Sequence, residues 1–386
     1  MRVGAVLAAA LGLSAACGGG GSGGPDAGDP NAEVCPVAAG DGVSFDPAAD
    51  PCRWLSSYRF FVGTDLATLT ANDRVVPYDL NTPLFSDYAW KSRFIYLADG
   101  QTMTYDDTDS FSLPEGAVIL KTFSYPDDMR QPDGPIRHIE TRLLIHRNDG
   151  WEGLPYVWND DQADARLSVA GAQEHISWIH SDGSQRDVDY VVPNKNQCKQ
   201  CHEEAVDVLG PIGPKARHIN RDLDYGAGPE NQLTHFADLG MLTGAPADPA
   251  DAPRDAVFDD DATGTVDQRA RAWLDINCAH CHNPGGAARV SGLDLRSAQT
   301  TPYDFGICKT PVAAGPGSGG LQYDIVPGDP DHSILVYRID STDPAVMMPE
   351  LGRHVVHEEG VALIRDWIAA MPADPCLAPA PAPATR

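Results

Sequence analysis

Two short segments of the chain each combine two cysteines and a histidine at the same spacing. They read Cys-Lys-Gln-Cys-His over residues 198–202 and Cys-Ala-His-Cys-His over residues 278–282. Two thiols at this spacing can add to the vinyl groups of a haem as thioethers, and the adjacent imidazole then binds the iron. We therefore predict two covalently attached haem c groups. Their cofactor-binding residues are Cys198, Cys201 and His202 for the first haem, and Cys278, Cys281 and His282 for the second.

The same cysteine pairs are compatible with two other chemistries. A redox dithiol needs only the two thiols of one pair, and a structural zinc site needs four ligands around the ion. A shared zinc site would require the two pairs to converge as a four-thiolate cage, and it would not require a histidine after each pair. The histidine that follows both pairs favours haem.

Residues downstream of each motif are candidates for the ligand on the far side of each iron. For the second haem we predict Met348, which precedes a proline, and Met347 is the alternative. For the first haem we predict His218, with His235 and Met241 as alternatives and an open, five-coordinate iron as the remaining option. Because a thioether ligand raises the reduction potential of a haem, the second haem should have a relatively high potential.

Another group should orient each proximal imidazole by accepting its N–H hydrogen bond. Gly213 and Pro214 follow His202 at the spacing at which class I cytochromes c place a proline carbonyl on this N–H. We therefore expect the Pro214 carbonyl to accept a hydrogen bond from His202. His280, inside the second motif, is expected to face solvent.

The N-terminus resembles a bacterial lipoprotein signal. Residues 1–4 carry one positive charge, and residues 5–13 are apolar but too few to span a bilayer. Small residues then lead to Cys17, which we predict to be lipidated, and a glycine-rich tether follows. The alternative is an ordinary cleavage site with a stray cysteine. The signal predicts a lipid-anchored protein of the bacterial cell envelope, on the periplasmic side or at the outer membrane.

The remaining cysteines are even in number and predict disulfides. Of the nine cysteines, four attach haem and one carries lipid, which leaves Cys35, Cys52, Cys308 and Cys376. In an oxidising compartment these should pair, and we favour Cys35 with Cys52 and Cys308 with Cys376. Four cysteines allow three connectivities, and free thiols are the alternative.

The pattern of apolar residues predicts an α+β fold class. Aromatic and β-branched runs predict an N-terminal antiparallel β-rich domain, after which we expect a haem-binding segment and a C-terminal all-α cytochrome c-like domain. In that last domain, amphipathic helices are predicted at residues 266–277 and 358–368. The predicted ranges are 1–17 signal peptide, 18–50 disordered tether, 51–192 β-rich domain, 193–243 first haem-binding segment, 244–265 linker, 266–376 class I cytochrome c-like domain, and 377–386 tail.

Several runs of the chain resemble an uncharacterised family of bacterial dihaem c-type cytochromes. They are residues 83–88, 156–162, 277–282, 325–330 and 348–353. The resemblance covers most of the chain beyond about residue 50. It implies secretion and two haems, and it carries no assigned reaction.

Together these features predict electron transfer through two haems. The formal net charge of −27 disfavours nucleic acids and anionic membrane surfaces, and it suits redox partner proteins with a basic surface. Contact with the membrane is expected only through the lipid. The alternative is an enzyme, peroxidase-like or similar to cytochrome P460, in which the first haem is open and the second transfers electrons. No catalytic protein residue is predicted in either case.

Overall fold

An antiparallel sheet of six strands organises the β-rich part of the chain, in a computed structural model that describes residues 33–373 and Cys376. The strands of the structure are β1 (Val75–Tyr78), β2 (Trp90–Tyr96), β3 (Met103–Thr104), β4 (Val118–Pro126), β5 (Ile136–Arg147), β6 (Gly150–Trp158), β7 (Ala165–Leu167), β8 (Ala172–Ile179), β9 (Gln185–Val192), β10 (Glu203–Ala205), β11 (Val208–Leu209), β12 (Asp222–Asp224), β13 (Pro229–Asn231) and β14 (Leu242–Thr243). The large sheet has the order β1-β2-β4-β5-β6-β7, and the other strands form two-stranded pairs.

Side chains of the large sheet alternate between two faces, as the two-residue period of a strand requires. One face is mostly aromatic and aliphatic, with Phe94, Leu120 and Tyr156 in a core that also contains residues 52–61. The opposite face is apolar at its two ends, where Ile95 packs among residues of the segment 209–252 and Phe123 packs against β8 and β9. The middle of this second face is polar, and it is the face on which the first haem motif lies.

Helices are short and stand outside the sheet. The α-helices are α1 (Cys198–His202), α2 (Ala216–Ile219), α3 (Gln232–Asp238), α4 (Val266–Leu274), α5 (Ile334–Ile339) and α6 (Glu358–Ala370), and one π-helical turn covers Asp275–Ala279. The 3₁₀ turns are Leu55–Tyr58, Leu66–Thr68, Lys195–Gln197, Pro249–Asp251, Arg289–Ser291, Gly315–Ser318 and Pro330–His332. Within the described ranges, none of these helices is both long enough and apolar enough to cross a bilayer.

The predicted fold class is wrong in its C-terminal part. The structure is β-rich, only 21% of it is helical, and no all-α cytochrome domain is evident. The amphipathic pattern does mark the positions of α4 and α6, which pack on each other. The segments between them, however, are rich in Gly, Pro and Asp and form loops and single turns, because these residues favour turns over helix. Two helices with a helical period do not make a helical domain.

The C-terminal residues are also tied to the sheet side of the molecule. The Asp87 carboxylate accepts the backbone N–H groups of His354 at 2.5 Å and Val355 at 3.0 Å. The Asn277 side chain accepts the N–H of Phe85 at 2.8 Å. Residues 33 onward accordingly form one compact unit.

Two segments predicted to be loose are packed in the structure. Residues 33–50 belong to the predicted tether, yet the Glu33 carboxylate accepts the N–H of Arg53 at 2.7 Å, and the Phe45 ring lies against Tyr96. The predicted linker 244–265 is anchored through Thr82, which accepts the N–H of Phe258 at 3.0 Å. The predicted signal peptide, Cys17, residues 18–32 and the tail 377–386 lie outside the described residues.

Both expected disulfides are present. Cys35 is bonded to Cys52, which closes the N-terminal segment onto the aromatic core. Cys308 is bonded to Cys376, across 68 positions of sequence. The four cysteines of the haem motifs are free thiols.

Candidate functional site

The two haem motifs meet in space, although they lie far apart in sequence. The Cys281 thiol hydrogen-bonds to Cys201, and its sulfur lies 3.5 Å from the carbonyl oxygen of Gln200. This hydrogen bond holds the pKa of Cys201 well below its ordinary value and raises that of Cys281. The backbone at Gly285 packs so closely on Glu204 that an added Cβ would come within 2.7 Å of its carbonyl oxygen. The two attachment points therefore form one continuous site.

The first motif is positioned by a capped turn and by strand β6. Asn194 begins the turn by accepting the N–H of Gln197, whose side chain accepts the N–H of Asn194 in return. The turn leads directly into α1, where Cys198 faces the sheet. A Cβ added at Gly153 of β6 would come within 2.9 Å of the Cys198 sulfur. Only glycine leaves room for this thiol.

The His202 imidazole is held in the tautomer that a haem ligand needs. Its Nδ1 lies 3.0 Å from the Gly210 carbonyl oxygen, to which it donates, so Nε2 is unprotonated and has no partner among the described residues. Burial lowers the pKa of His202 to about 4, which keeps the ring neutral. The predicted acceptor is wrong, because the Pro214 carbonyl accepts the N–H of Phe111 at 2.9 Å instead.

The Gly210 carbonyl is in place because the chain turns back directly after the motif. Strands β10 and β11 pair antiparallel, and the Gly210 N–H donates to the His202 carbonyl oxygen at 2.7 Å. The same residue thus bonds both the backbone and the ring of the histidine. A Gly-Pro three residues later along the chain does not reach the ring.

The second motif follows α4 and the π-helical turn. A capping box between Thr265 and Gln268 starts α4. His282 Nδ1 lies 3.0 Å from the Ser291 hydroxyl oxygen, and burial lowers the pKa of His282 to about 4. As at the first site, this pairing leaves Nε2 for a metal. His280 does not face solvent as expected: its Nδ1 is buried without a partner, and its ring lies against the other motif.

Met348 lies in the same region as His282. Its N–H donates to the Arg338 carbonyl oxygen at 3.1 Å, and the charge of Arg338 is close enough to lower the pKa of His282 further. The buried Arg353 guanidinium donates to the Met348 carbonyl oxygen at 2.9 Å. Met347 is buried in the same segment. The assignment of Met348 over Met347 stays a prediction.

The three candidates for the far side of the first iron all have other partners. His218 is buried, and its Nε2 lies 2.7 Å from Asp275 Oδ2. His235 Nδ1 lies 2.6 Å from a Glu230 oxygen. Met241 is fully buried in the apolar core below the sheet. The predicted role of His218 as a ligand is therefore not supported by its contacts, since a carboxylate already holds the nitrogen that would bind iron.

The described residues do not form the four-thiolate cage that a shared zinc site would need. Among the described residues, His, Cys, Asp and Glu atoms group within ligand distance at two places, and neither includes a haem-motif cysteine. One of these places holds the disulfide cysteines, and the other is the buried set of His218, Asp255 and Asp275. The motif thiols meet as one pair, through Cys201 and Cys281, and not as four ligands.

Sequence reasoning missed a group of buried and partly buried cations that we call the cation row. It consists of Lys91 and Arg93 on β2, Lys121 on β4 and Arg142 on β5, all on the face that carries the first motif. The available signal was a basic residue at alternate positions of strands that are otherwise apolar. Cations in such positions require a partner, because an uncompensated buried charge is costly.

The residues present fit two c-type haems. Each motif offers two free thiols and a neutral imidazole with Nε2 unoccupied, Gly153 leaves space beside Cys198, and the buried Nη2 of Arg93 has no hydrogen-bond partner. The chain matches no protein-family model, no curated protein and no solved structure. The resemblance to dihaem cytochromes thus rests on the sequence runs alone and stays a prediction.

Proposed function

We propose that this protein is a dihaem c-type electron-transfer protein. The observation that carries the proposal is the contact between Cys201 and Cys281, which joins two complete attachment motifs into one site. Two unrelated thiol pairs would have no reason to meet with a tautomer-fixed histidine beside each. The first haem is held by residues 198–202 and the second by residues 278–282.

Each part of the site has a definite task in this proposal. The cysteines anchor the porphyrin edge, and the buried histidines present an unprotonated Nε2 on a fixed ring. Gly210 and Ser291 accept the opposite N–H and so raise the basicity of each ligand. A bound haem supplies an iron that takes up and releases single electrons. His282 is buried and His202 is partly buried, which limits the access of water to the ligand side.

The contact between the Cys201 and Cys281 thiols also bears on electron transfer between the two proposed haems. Each thioether joins a cysteine sulfur directly to the porphyrin periphery. Contact between Cys201 and Cys281 would therefore hold the attached edges of two haems close to each other. Met348 as the thioether ligand of the second iron would give the second haem a relatively high potential.

The remaining features are proposed from composition. An acidic chain favours a redox partner with a basic surface. A lipid on Cys17 would hold the protein in the bacterial cell envelope, with the haems on the periplasmic side or at the outer membrane. Mass spectrometry of membrane-extracted protein tests this, because a mature N-terminus other than a lipidated Cys17 contradicts it.

The test of haem attachment counts haems. We expect two covalent haems per chain in protein made in a host with c-type maturation machinery, measured by haem staining of a denaturing gel and by the haem-to-protein ratio. The variants C198A/C201A and C278A/C281A should each retain one haem. The variant C35A/C52A removes the same number of cysteines elsewhere and should retain both. An unchanged ratio when all four motif cysteines are replaced would refute the proposal.

A second candidate is a haem oxidoreductase that reduces peroxide or a small nitrogen oxide at the first iron. The observation that favours it is that Asp275 holds Nε2 of His218 and that Met241 is buried in the apolar core, so neither is placed to fill the far side of the first iron. EPR of the oxidised protein separates the two functions. Two low-spin ferric signals support electron transfer alone, whereas a high-spin signal that is lost in C198A/C201A supports catalysis at the first haem.

A further inference from the structure

The cation row has fewer counter-ions than charges. Arg142 is paired with Glu140, and Arg93 Nη1 lies 3.1 Å from Asp79, which also binds Arg221. The ammonium groups of Lys91 and Lys121 have neither a hydrogen bond nor an ion pair with any described residue. The other Arg93 nitrogen, Nη2, is buried without a partner, on a side chain that is only 4% exposed.

The two lysines lie deep in the molecule and yet remain partly accessible to solvent. Burial lowers the pKa of Lys91 to about 7, and it lowers the pKa of Lys121 well below its ordinary value. Both side chains nevertheless keep part of their surface accessible. Charged groups at such depth normally have partners, because the desolvation of an unpaired ion costs several kcal/mol. Two unpaired ammonium groups therefore indicate a site for two negative charges.

The strand register places this site relative to the first haem motif. Arg93 is opposite Lys121, and Lys121 is opposite Arg142. Arg142 is opposite Pro155, two residues from Gly153, where Cys198 meets the sheet. Neighbouring strands are about 4.8 Å apart, so Lys121 lies two strands, or about 10 Å, across the sheet from β6.

This separation can be compared with the distance between the two edges of a haem. The thioether-bearing edge of a haem and its propionate-bearing edge are on opposite sides of the ring. A haem bound through Cys198 and lying along this face would direct its two carboxylates towards β4 and β2, where the two unpaired lysines are.

We infer that Lys91, Arg93 and Lys121 bind the propionate carboxylates of the haem attached through Cys198 and Cys201. The inference rests on the proposed function, because it requires the first haem. It assigns the two unpaired ammonium groups of the face to the two carboxylates of the cofactor. It also explains why this face of the sheet is polar in its middle, between two apolar ends.

The test uses the dihaem protein and neutral side chains of similar length. In K91M, K121M and K91M/K121M we expect both haems to stay covalently bound. The midpoint potential of the first haem should fall, because a nearby positive charge favours the ferrous state. We expect about a tenfold change in its reduction equilibrium for each lysine, which is about 59 mV for a one-electron couple. The potential of the second haem should stay unchanged.

Two controls separate binding from a general effect of charge or packing. Lys195 precedes the first motif, is exposed and is paired with Glu152, so K195M removes a charge that solvent screens and should leave both potentials unchanged. K121R keeps the charge and should restore the potential. The propionate bending band in resonance Raman spectra should shift in K121M and return in K121R. If the methionine variants do not accumulate, K91Q and K121Q replace them.

The outcomes distinguish this inference from the proposed function. Absence of covalent haem in the unaltered protein would contradict the function. Two covalent haems together with unchanged potentials in K91M/K121M would contradict the inference alone. The inference would also be overturned if azide or nitrite bound the unaltered protein, that binding were lost in K91M/K121M, and the potentials did not move. The lysines would then serve an external anion.

Discussion

Replacement of Gly153 by alanine should disturb the first haem site by steric contact alone. The new Cβ would lie 2.9 Å from the sulfur and 3.1 Å from the Cβ of Cys198, whereas unstrained contacts between such atoms are about 3.5–4.0 Å. The thiol or strand β6 must therefore move by about half an ångström or more. Cys198 has a short side chain, and its backbone is held at the start of α1. Its sulfur therefore cannot move aside as the end of a long side chain could.

The magnitude follows from two opposing effects. Overpacking of one methyl group typically costs about 1–3 kcal/mol. Alanine is itself favoured over glycine in a strand by about 0.5–1 kcal/mol. The net expectation for Gly153→Ala is a loss of about 1–2 kcal/mol in the free energy of unfolding of the haem-free protein, measured with a chemical denaturant. In the mature protein we expect less of the first haem and a full complement of the second.

A matched control and a double variant test the cause. Gly42 is exposed, and a Cβ there would meet nothing within 4 Å, so Gly42→Ala should cost nothing. In the background Cys198→Ala the sulfur is gone. The destabilisation caused by Gly153→Ala should therefore be smaller there by at least about 0.5 kcal/mol. The reasoning fails if Gly153→Ala is as stable as the unaltered protein and carries two haems.

Three further predictions concern the rest of the site. Ser291→Ala removes the acceptor for His282, which makes the ligand less basic and should raise the potential of the second haem by on the order of 40 mV in a redox titration. Burial raises the pKa of Asp255 to about 6, so protein stability should fall as pH rises from about 4 to 6. Asp255→Asn should abolish that slope and gain up to about 3 kcal/mol above pH 6 in denaturant titrations, and an unchanged slope contradicts this. Because Cys201 and Cys281 are in contact, diamide should join them in haem-free protein as a disulfide, seen by mass spectrometry as the loss of two hydrogens, and two unlinked thiols would contradict that contact.

Local patterns predicted the local features of this chain. The spacing of Cys35 and Cys52, and the even count of cysteines, led to the disulfides that the structure contains. The helical period of apolar residues located α4 and α6. Each of these features depends on residues near each other in sequence or on a simple count. The error lay in extending two correct helices to a whole helical domain.

Features that depend on tertiary pairing could not be predicted in this way. The cation row exists only because β2, β4 and β5 pair in one register, and a shift by one residue would send Lys121 to the opposite face. The acceptor for His202 was assigned by spacing to Pro214. In the structure the Gly210 carbonyl accepts this hydrogen bond, because the β10–β11 turn brings that carbonyl back to the ring. The number of residues between two positions predicts the same contact in another protein only when the loop between them has the same conformation.

The contact between the motifs also connects folding to cofactor binding. Cys201 belongs to the segment that follows the sheet, and Cys281 belongs to the segment that α4 delivers, so each haem is attached at a junction of the two. A cofactor that binds only the folded arrangement stabilises it, by an amount that grows with its affinity. If the chain binds the two haems proposed, haem at either motif would stabilise the junction that the other motif needs. Attachment of the first haem would then promote attachment of the second, because both depend on the same packed interface between the sheet side of the molecule and its C-terminal helices.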